Sequence, residues 1–447
     1  MKTGALKLHT DFEKIKRGSL MINSLCVYTH LKEDDVLKKY KNLLEYLNEE
    51  KVNLGKAINL YNDFIFELLN KSNGSSLKKY IIDKIFLDNN SFTRMIDIND
   101  FSNEHIIKQV KYELKALEYI CSLDSKDLKE IILYKTKAID FEDEMVRNLM
   151  DFQVDNNDEY YVYKAIDKLK LRILNSDGWE KSIDNILEFY KQYGTGVFGE
   201  YRAFVWENED GNCYLRGIES PDPVRLQELV GYEDQKKKII ENTKQFLNGY
   251  NANNLLLYGQ RGTGKSSTVK AIINEFYKDG LRLIEVDKDK LVDFTKIIRI
   301  LKTKNLKFII FVDDLVFEEG ETSYSALKTI LEGGVENRSN NILIYATTNR
   351  KHLIKETFSE RGDEIHTMDS VEEKLSLSDR FGITVSFYSP DQKEYLKIID
   401  GIAETRSMDI EKEYLHAEAL KWARYQNARS PRTAKQFMNW IEGTLKK

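Results

Sequence analysis

The sequence predicts an α/β fold with a five-stranded parallel sheet, preceded by a mainly α-helical region and followed by a small helical lid. Three observations support this prediction. Proline is absent before Pro221, so nothing interrupts the helical spacing of apolar residues in the N-terminal region. Five short apolar runs then alternate with helical segments, which is the pattern of parallel strands buried on both faces. After Pro390 the pattern is helical again.

Length, composition and charge narrow the class of protein. The chain has 447 residues, enough for about three domains, and its 41% hydrophobic and 32% charged residues predict a folded core. Basic and acidic residues are interspersed and give a net charge of -5, which argues against a non-specific nucleic-acid coat but leaves room for a local basic patch. No apolar run reaches transmembrane length, no signal-peptide core follows Met1, and the three cysteines are far apart. We therefore expect a cytoplasmic, reduced protein without a membrane span.

Residues 1–193 are predicted to form an N-terminal helical domain. Apolar residues repeat there with the spacing of amphipathic helices, and these side chains are expected in the core. The domain carries no motif that assigns it a role. The repeating sets are Val36, Tyr40, Leu43, Leu44 and Leu47; Leu54, Ile58, Tyr61, Ile65 and Leu68; Ile107, Val110, Leu114 and Leu117; and Ile183, Ile186, Leu187 and Tyr190.

Residues 194–224 are predicted to be a β-hairpin and linker that connect two domains. The run 201–206 is rich in aromatic and branched residues, Asp210-Gly211 is a turn signal, and two prolines mark the linker. The glycines within 194–199 satisfy the pattern G-x-G-x-x-G. A helical stretch rather than a strand precedes them, so they are predicted to form a turn and not a dinucleotide site.

Residues 225–389 are predicted to form the α/β core, and residues 390–447 the helical lid. The five strand candidates are 255–258, 283–286, 308–312, 342–346 and 383–387. Each is a nearly continuous apolar run, as expected of strands buried on both faces. In the lid region, Ser389-Pro390 and Ser430-Pro431 each place a capping residue before a proline suited to the first helical position.

The strongest motif is a phosphate-binding loop (Walker A) of the form G-x-x-x-x-G-K-[ST]. Its residues are Gly259, Gln260, Arg261, Gly262, Thr263, Gly264, Lys265 and Ser266, with Ser267 after them. The loop follows a strand and opens a helix, which is the context that a P-loop NTPase core requires. Its backbone amides and the helix N-terminus are expected to hold phosphate oxygens. We expect Lys265 to reach the β- and γ-phosphates of ATP and Ser266 to ligate Mg²⁺.

A second nucleotide element (Walker B) ends the strand at 308–312. We expect Asp313 to hold Mg²⁺ and Asp314 to polarise the attacking water. Two carboxylates at such a place also suit a helix cap, but the phosphate-binding loop upstream favours the nucleotide interpretation. If Asp314 does not polarise the water, Glu318 or Glu319 is the next candidate.

These motifs, in this order and spacing, resemble the AAA+ ATPase superfamily. Val230-Gly231 lies in a segment similar to the one that packs against adenine in that superfamily. Asn349 matches the sensor-1 position, Arg380 matches the arginine finger of initiator-type members, and Arg432 matches the sensor-2 arginine. The resemblance implies an ATP-binding, Mg²⁺-dependent ATPase. It also implies catalytic roles for these three residues and for Asp314, and a homo-oligomer formed through Arg380.

More narrowly, the phosphate-binding loop, the stretches 312–320 and 345–353, and Arg380-Phe381-Gly382 resemble an uncharacterised family of bacterial predicted AAA+ ATPases with an initiator- or loader-like core. Asp314 stands where many motor-type members carry glutamate. Aspartate is one methylene shorter, which favours slow turnover. The segment 287–297 lacks the aromatic-glycine pair of protein-threading motors, which argues against peptide unfolding by threading.

These features predict an ATPase switch. It would couple ATP binding and slow hydrolysis to conformational change or assembly on an unidentified protein or DNA partner. The alternative is a nucleotide-gated binding or scaffold module with negligible hydrolysis. A small-molecule kinase is disfavoured by the helical lid and by the separate segment that carries Arg380.

Overall fold

The computed structural model of the chain describes residues 2–72, 76–100, 103–152, 165–317, 321–332, 339–350, 353 and 379–445. The chain divides into two compact units, Met1–Glu200 and Tyr201–Lys447. None of the helices in the described ranges combines the length and the hydropathy that a membrane span requires.

The first unit is mainly α-helical, as predicted. The four predicted apolar repeats lie on α2, α3, α6 and α10, and most of their side chains are buried in one core. The G-x-G-x-x-G glycines follow a helix rather than a strand, as expected. The helices are α1 (Lys2–Ser24), α2 (Asp35–Asn48), α3 (Leu54–Ser72), α4 (Leu77–Leu87), α5 (Ser91–Asp97), α6 (Glu104–Ile120), α7 (Ser125–Thr136), α8 (Phe141–Arg147), α9 (Ala165–Leu174), α10 (Ile183–Tyr193) and α11 (Val197–Glu200).

A buried carboxylate organises the turn after α1. Glu113 of α6 is fully buried, and its carboxylate accepts hydrogen bonds from the backbone N–H groups of Cys26 (2.8 Å) and Tyr28 (2.9 Å), and of the residue between them. Near the C-terminal end of α6, the guanidinium of Arg17 on α1 lies 4.6 Å from the centroid of the Tyr119 ring. Helices α1 and α6 therefore pack side by side and run in opposite directions.

The second unit contains a seven-stranded sheet. Its strands are β1 (Ala203–Glu209), β2 (Asn212–Gly217), β3 (Leu255–Gly259), β4 (Leu281–Glu285), β5 (Lys307–Val312), β6 (Ile342–Thr348) and β7 (Ile383–Phe387). They lie in the order β2-β1-β4-β5-β6-β3-β7. Neighbouring strands are parallel except for β2, which is antiparallel to β1.

The sheet has two strands more than the five predicted for the core. The five predicted core strands are present as β3 to β7, but the hairpin also joins the sheet instead of only connecting two domains. Strand β1 pairs in parallel with β4, with Ala203 opposite Leu283. The side chains of Phe204 and Trp206 on β1 are fully buried, so the hairpin gains apolar burial by extending the sheet.

Helices flank the sheet and form the lid. Those of the core are α12 (Glu233–Leu247), α13 (Lys265–Phe276), α14 (Phe294–Leu301) and α15 (Thr322–Leu331), and those of the lid are α16 (Gln392–Thr405), α17 (Lys412–Tyr425) and α18 (Pro431–Leu445). The lid has a small apolar core of its own, which includes Tyr395, Leu415 and Phe437.

The strand order places the candidate site. Strands β5, β6 and β3 are neighbours, and they are parallel, so their carboxyl ends meet at one edge of the sheet. The phosphate-binding loop follows β3, the aspartate pair follows β5, and Asn349 follows β6. Segments far apart in the sequence therefore meet at that edge.

Candidate functional site

The phosphate-binding loop depends on glycine at its closest approaches. Gly259 has a φ of 149°, and a Cβ at this position would lie 1.9 Å from the carbonyl oxygen of Phe387. Gly262 has a φ of 79°, and a Cβ there would lie 3.1 Å from the side chain of Arg432. The curled loop leads into α13, which begins at Lys265, so the loop amides and the helix N-terminus form one anion-binding surface.

The Lys265 side chain is held inside the loop. Its ammonium donates hydrogen bonds to the carbonyl oxygens of Gly259 (2.7 Å) and Gln260 (2.8 Å), and to Oδ1 of Asn349 (2.9 Å). Burial lowers the pKa of this ammonium, and the neighbouring carboxylates of Asp313 and Asp314 oppose that effect. The ammonium is thus fixed in direction and partly desolvated, which suits binding of a phosphate oxygen.

Asp313 lies beside the hydroxyl group at the start of α13. Its Oδ1 accepts a hydrogen bond from the Ser266 hydroxyl at 2.6 Å and another from the Thr347 hydroxyl. A carboxylate and a hydroxyl oxygen are hard ligands of the kind that Mg²⁺ prefers beside phosphate. The residues present therefore fit the predicted metal ligands, Ser266 and Asp313.

Asp314 and Asn349 form a second pair at the same edge. The side-chain amide of Asn349 donates to Oδ1 of Asp314 at 2.6 Å, and the backbone N–H of Asp314 donates to the Thr347 hydroxyl at 2.9 Å. Asp314 has a φ of 52°, a left-handed conformation that costs of order 1 kcal/mol outside glycine. Because Asn349 also accepts from Lys265, this one amide joins the ammonium of the loop to the carboxylate of the strand end.

These side chains surround a cavity of about 750 Å³. Thirteen of the sixteen residues predicted for the site line it, and Gly259, Gln260 and Arg380 do not. The thirteen are Val230, Gly231, Arg261, Gly262, Thr263, Gly264, Lys265, Ser266, Ser267, Asp313, Asp314, Asn349 and Arg432. Gly259 and Gln260 instead supply the carbonyl oxygens behind Lys265. Glu318 and Glu319 lie outside the described residues, as do residues 351 and 352.

One wall of the cavity is apolar and joins the core to the lid. Gly231 has a φ of 88°, and a Cβ there would lie 3.3 Å from the side chain of Ile398 on α16. The Tyr232 ring packs 5.1 Å from the Phe387 ring. All four of these residues line the cavity together with Val230. A flat apolar ring fits between such surfaces.

The lid contributes cations to the cavity. The backbone N–H of Arg432 donates to the carbonyl oxygen of Gly262 at 3.1 Å, so the start of α18 is tied directly to the phosphate-binding loop. Arg406 and Lys435 also line the cavity, and the Arg406 guanidinium pairs with Glu442 at 3.1 Å. Neither was predicted. Lys435 lies one helical turn after Arg432 on α18, and this spacing is a signal that could have found it.

Arg380 lies outside the cavity lining of its own chain. It precedes β7, and its guanidinium forms an ion pair with the Glu332 carboxylate after α15. The side chain is 32% exposed.

Other cavity residues had no sequence motif. Thr347 orients both aspartates through one hydroxyl. The segment before α12 also lines the cavity, through Asp222, Val224 and Glu228. This segment is anchored by Asn274 of α13, whose amide donates to the carbonyl oxygens of Asp222 (2.7 Å) and Val224 (2.8 Å). Only the strand order and the packing bring these residues to the site.

A comparison with protein families matches nearly the whole second unit. A family model described as "Protein of unknown function (DUF815)" matches residues 199–445, which is more than half of the chain. Replication factor C subunit 5 of Homo sapiens is 28% identical over 133 residues, which cover 28% of this chain and 38% of that protein. This chain therefore aligns with well under half of that relative.

Two solved structures are also similar. The RuvB Holliday junction branch migration motor of Thermotoga maritima is 17% identical, with a TM-score of 0.31, over 48% of this chain and 72% of that one. A point variant of the same RuvB is 18% identical, with a TM-score of 0.31 and the same coverage.

Proposed function

The chain belongs to the family described as "Protein of unknown function (DUF815)", and we propose that its AAA+-type core binds ATP with Mg²⁺ and hydrolyses the ATP slowly. Binding and hydrolysis would drive a conformational change or assembly on a protein or DNA partner. The observation that carries the proposal is the junction at Asn349, which touches both Lys265 and Asp314 at the edge of one cavity.

Each group in this junction suits one task. Lys265 and the loop amides would bind the β- and γ-phosphates. Ser266 and Asp313 would hold Mg²⁺, which would offset phosphate charge. Asp314 would orient the attacking water, and Asn349 would keep that carboxylate in place. Arg432 would report the state of the phosphates to the lid, because its helix starts against Gly262.

We expect slow turnover from the length and the hydrogen bonding of the Asp314 carboxylate. The carboxylate is short, and one of its oxygens already accepts a hydrogen bond from Asn349. A water held by the remaining oxygen would be placed less firmly than by a longer glutamate. The same observation favours the second candidate function, a nucleotide-gated binding module with negligible hydrolysis.

Paired aspartate variants test the division of labour. Asp313→Asn should weaken Mg²⁺-dependent ATP binding, because it removes the charge expected beside the metal. Asp314→Asn should keep ATP·Mg²⁺ binding and abolish hydrolysis, because the amide keeps the shape but cannot attract a water proton in the same way. Calorimetric titration and a phosphate-release assay measure the two effects, with Asp234→Asn on the exposed side of α12 as the control. Identical behaviour of the two site variants would contradict the assigned roles.

The same assay separates the two candidate functions. A switch should release phosphate slowly but measurably under conditions where ATP is bound, and Asp314→Asn should remove that release. A binding module should bind ATP as tightly without release above the Asp314→Asn baseline. ATP binding without phosphate release would therefore favour the binding module over the ATPase switch.

We also propose that Arg380 completes the site of a neighbouring copy. An arginine beside transferring phosphate accelerates phosphoryl transfer by about 10³-fold or more. Hydrolysis per subunit should therefore rise with protein concentration, and Arg380→Ala should bind ATP normally but stay inactive. Mixing Arg380→Ala with Lys265→Ala should restore activity, because each variant supplies what the other lacks. Turnover that is independent of concentration, with no rescue in the mixture, would mean that one chain suffices.

A further inference from the structure

Helix α6 of the first unit presents a basic face to solvent. Lys108, Lys111 and Lys115 are exposed and recur at the three- and four-residue spacing that places them on one side of the helix. Tyr112 lies among them and is 50% exposed. Tyr119 continues the same face, one helical turn after Lys115. We call these five residues, together with Arg17 on the Tyr119 ring, the basic α6 stripe.

The four cations of the stripe have no acidic partner among the residues that the structure describes. None of them forms an ion pair with any residue that the structure describes. Among the acidic residues of α6, Glu113 faces the buried turn after α1, and Glu118 accepts a hydrogen bond from the backbone N–H of Trp179 at 3.1 Å. Glu104 at the start of α6 and Glu13 on α1 are exposed near the ends of the stripe. Cations therefore outnumber anions on this face.

The stripe differs from the charge balance of the whole chain. The chain carries a net charge of -5, and some other exposed lysines of the unit are paired, such as Lys38 with Glu33 at 2.8 Å and Lys71 with Glu67 at 3.4 Å. Leaving like charges side by side on one helix is slightly unfavourable. An anionic partner would remove that cost.

We propose that the basic α6 stripe binds single-stranded nucleic acid. Lys108 and Lys115 lie about 10 Å apart along the helix axis, a reach suited to a run of adjacent backbone phosphates. An exposed tyrosine between lysines offers a surface on which an unpaired base stacks, whereas paired bases in a duplex cannot reach it. The proposal rests on charge and exposure in the first unit and is independent of ATP turnover.

Binding of a labelled oligothymidylate to the full chain, followed by fluorescence anisotropy without nucleotide, tests the proposal. Each phosphate contact contributes about 0.7 to the logarithmic salt slope of a single strand, so four contacts predict a slope of about -3. Affinity should then fall about 50-fold between 50 and 200 mM salt. The variant Lys108→Gln, Lys111→Gln, Lys115→Gln should flatten the slope by about 2, because glutamine keeps the helix but removes three charges.

A matched control changes the net charge equally on other elements. Lys51, Lys78 and Lys126 are exposed on separate parts of the same unit, and their replacement by glutamine should leave affinity and slope unchanged. Tyr112→Ala should weaken single-strand binding at least about fivefold through lost stacking, without affecting binding to a duplex. Lys265→Ala should bind the oligonucleotide normally, which separates this proposal from the ATPase.

Several results would overturn the proposal. The two triple variants could lose affinity equally, which would indicate general charge attraction. Polyglutamate could compete as well as the oligonucleotide, which would point to an acidic protein partner. A Tyr112→Ala variant with unchanged single-strand affinity, together with equal binding of duplex, would remove the single-strand assignment. Circular dichroism and thermal unfolding of each variant verify that the helices are intact.

Discussion

Replacing Lys265 by methionine measures how much the ammonium charge of this side chain contributes to ATP binding. Methionine keeps the unbranched apolar stem of the side chain and is one atom shorter, so the packing at the start of α13 should persist. The ammonium is lost, together with its hydrogen bonds to two loop carbonyl oxygens and to Asn349. Only the polar end of the side chain changes.

The expected loss of ATP affinity follows from the hydrogen bonds that the Lys265 ammonium exchanges when ATP binds. The ammonium makes three hydrogen bonds within the protein, so contact with a phosphate oxygen replaces one of these bonds instead of adding to a bare cation. A hydrogen bond to a charged group contributes about 1.5–3 kcal/mol net. A loss of about 1.5–3 kcal/mol corresponds to a dissociation constant for ATP that rises about 12- to 150-fold.

Calorimetric titration of ATP in the presence of Mg²⁺ measures this change. Lys270→Met is the matched control, because Lys270 lies on the same helix and does not line the cavity. Without nucleotide, Lys265→Met should unfold cooperatively and have a stability close to that of the unaltered protein, because the removal of a buried charge and the loss of a donor to three acceptors act in opposite directions. A change in affinity below about fivefold, in a variant that unfolds normally, would refute the assignment of Lys265 to the phosphates.

The same variant has a defined pH dependence. Burial is the main cause that lowers the pKa of the Lys265 ammonium below its ordinary value of 10.5, and Arg432 and Arg261 lower it further. The unfolded chain therefore binds this proton more tightly than the folded chain does. The folded protein is destabilised by the full amount at pH values below the lowered pKa. This destabilisation is relieved as the pH rises towards 10.5. The stability of Lys265→Met relative to the unaltered protein, measured by urea unfolding, should fall over that interval, and a relative stability that rises would contradict this.

The remaining predictions concern the first unit and the lid. Glu113→Ala should lower the free energy of unfolding by about 3–5 kcal/mol in urea titrations, because three backbone N–H groups at 26–28 lose their acceptor. Gln109→Ala, which removes only a donor to that carboxylate, should cost about 1 kcal/mol, and equal costs would contradict this role of Glu113. Arg432→Ala should weaken ATP binding at least about tenfold in calorimetry, whereas Lys421→Ala, outside the cavity, should not. Equal affinities of the two lid variants would exclude Arg432 from phosphate binding.

The phosphate-binding loop and the aspartate pair could be placed from sequence because their signals are local. Each lies at the end of a short strand whose residues are almost all apolar, and the glycine spacing limits the backbone to few conformations. Lys265 and Asp313 therefore come to the edge of the sheet by chain geometry alone. Their distances to Thr347 and Asn349 depend on β6 lying between β5 and β3, which no local pattern specifies.

The hairpin shows why the size of the sheet was underestimated. Strand β1 finds its partner β4 about eighty residues away, and pairing over such separations is set by burial rather than by local propensity. The signal was present in Phe204 and Trp206, which alternate along β1 and are fully buried. Two large side chains on one face of a hairpin indicate that this face packs against something, and here it packs as part of the sheet.

For Arg380, the sequence suggests a role, but only the structure shows which residues surround it. The resemblance places Arg380 at the arginine-finger position, and the structure pairs its guanidinium with the Glu332 carboxylate. A partly exposed ion pair of this kind contributes about 0–1 kcal/mol. A bidentate contact between a guanidinium and phosphate oxygens is stronger, because both partners are charged and both hydrogen bonds form together. Glu332 can therefore orient Arg380 in the isolated chain without preventing the transfer that we propose, to the phosphate of a neighbouring copy.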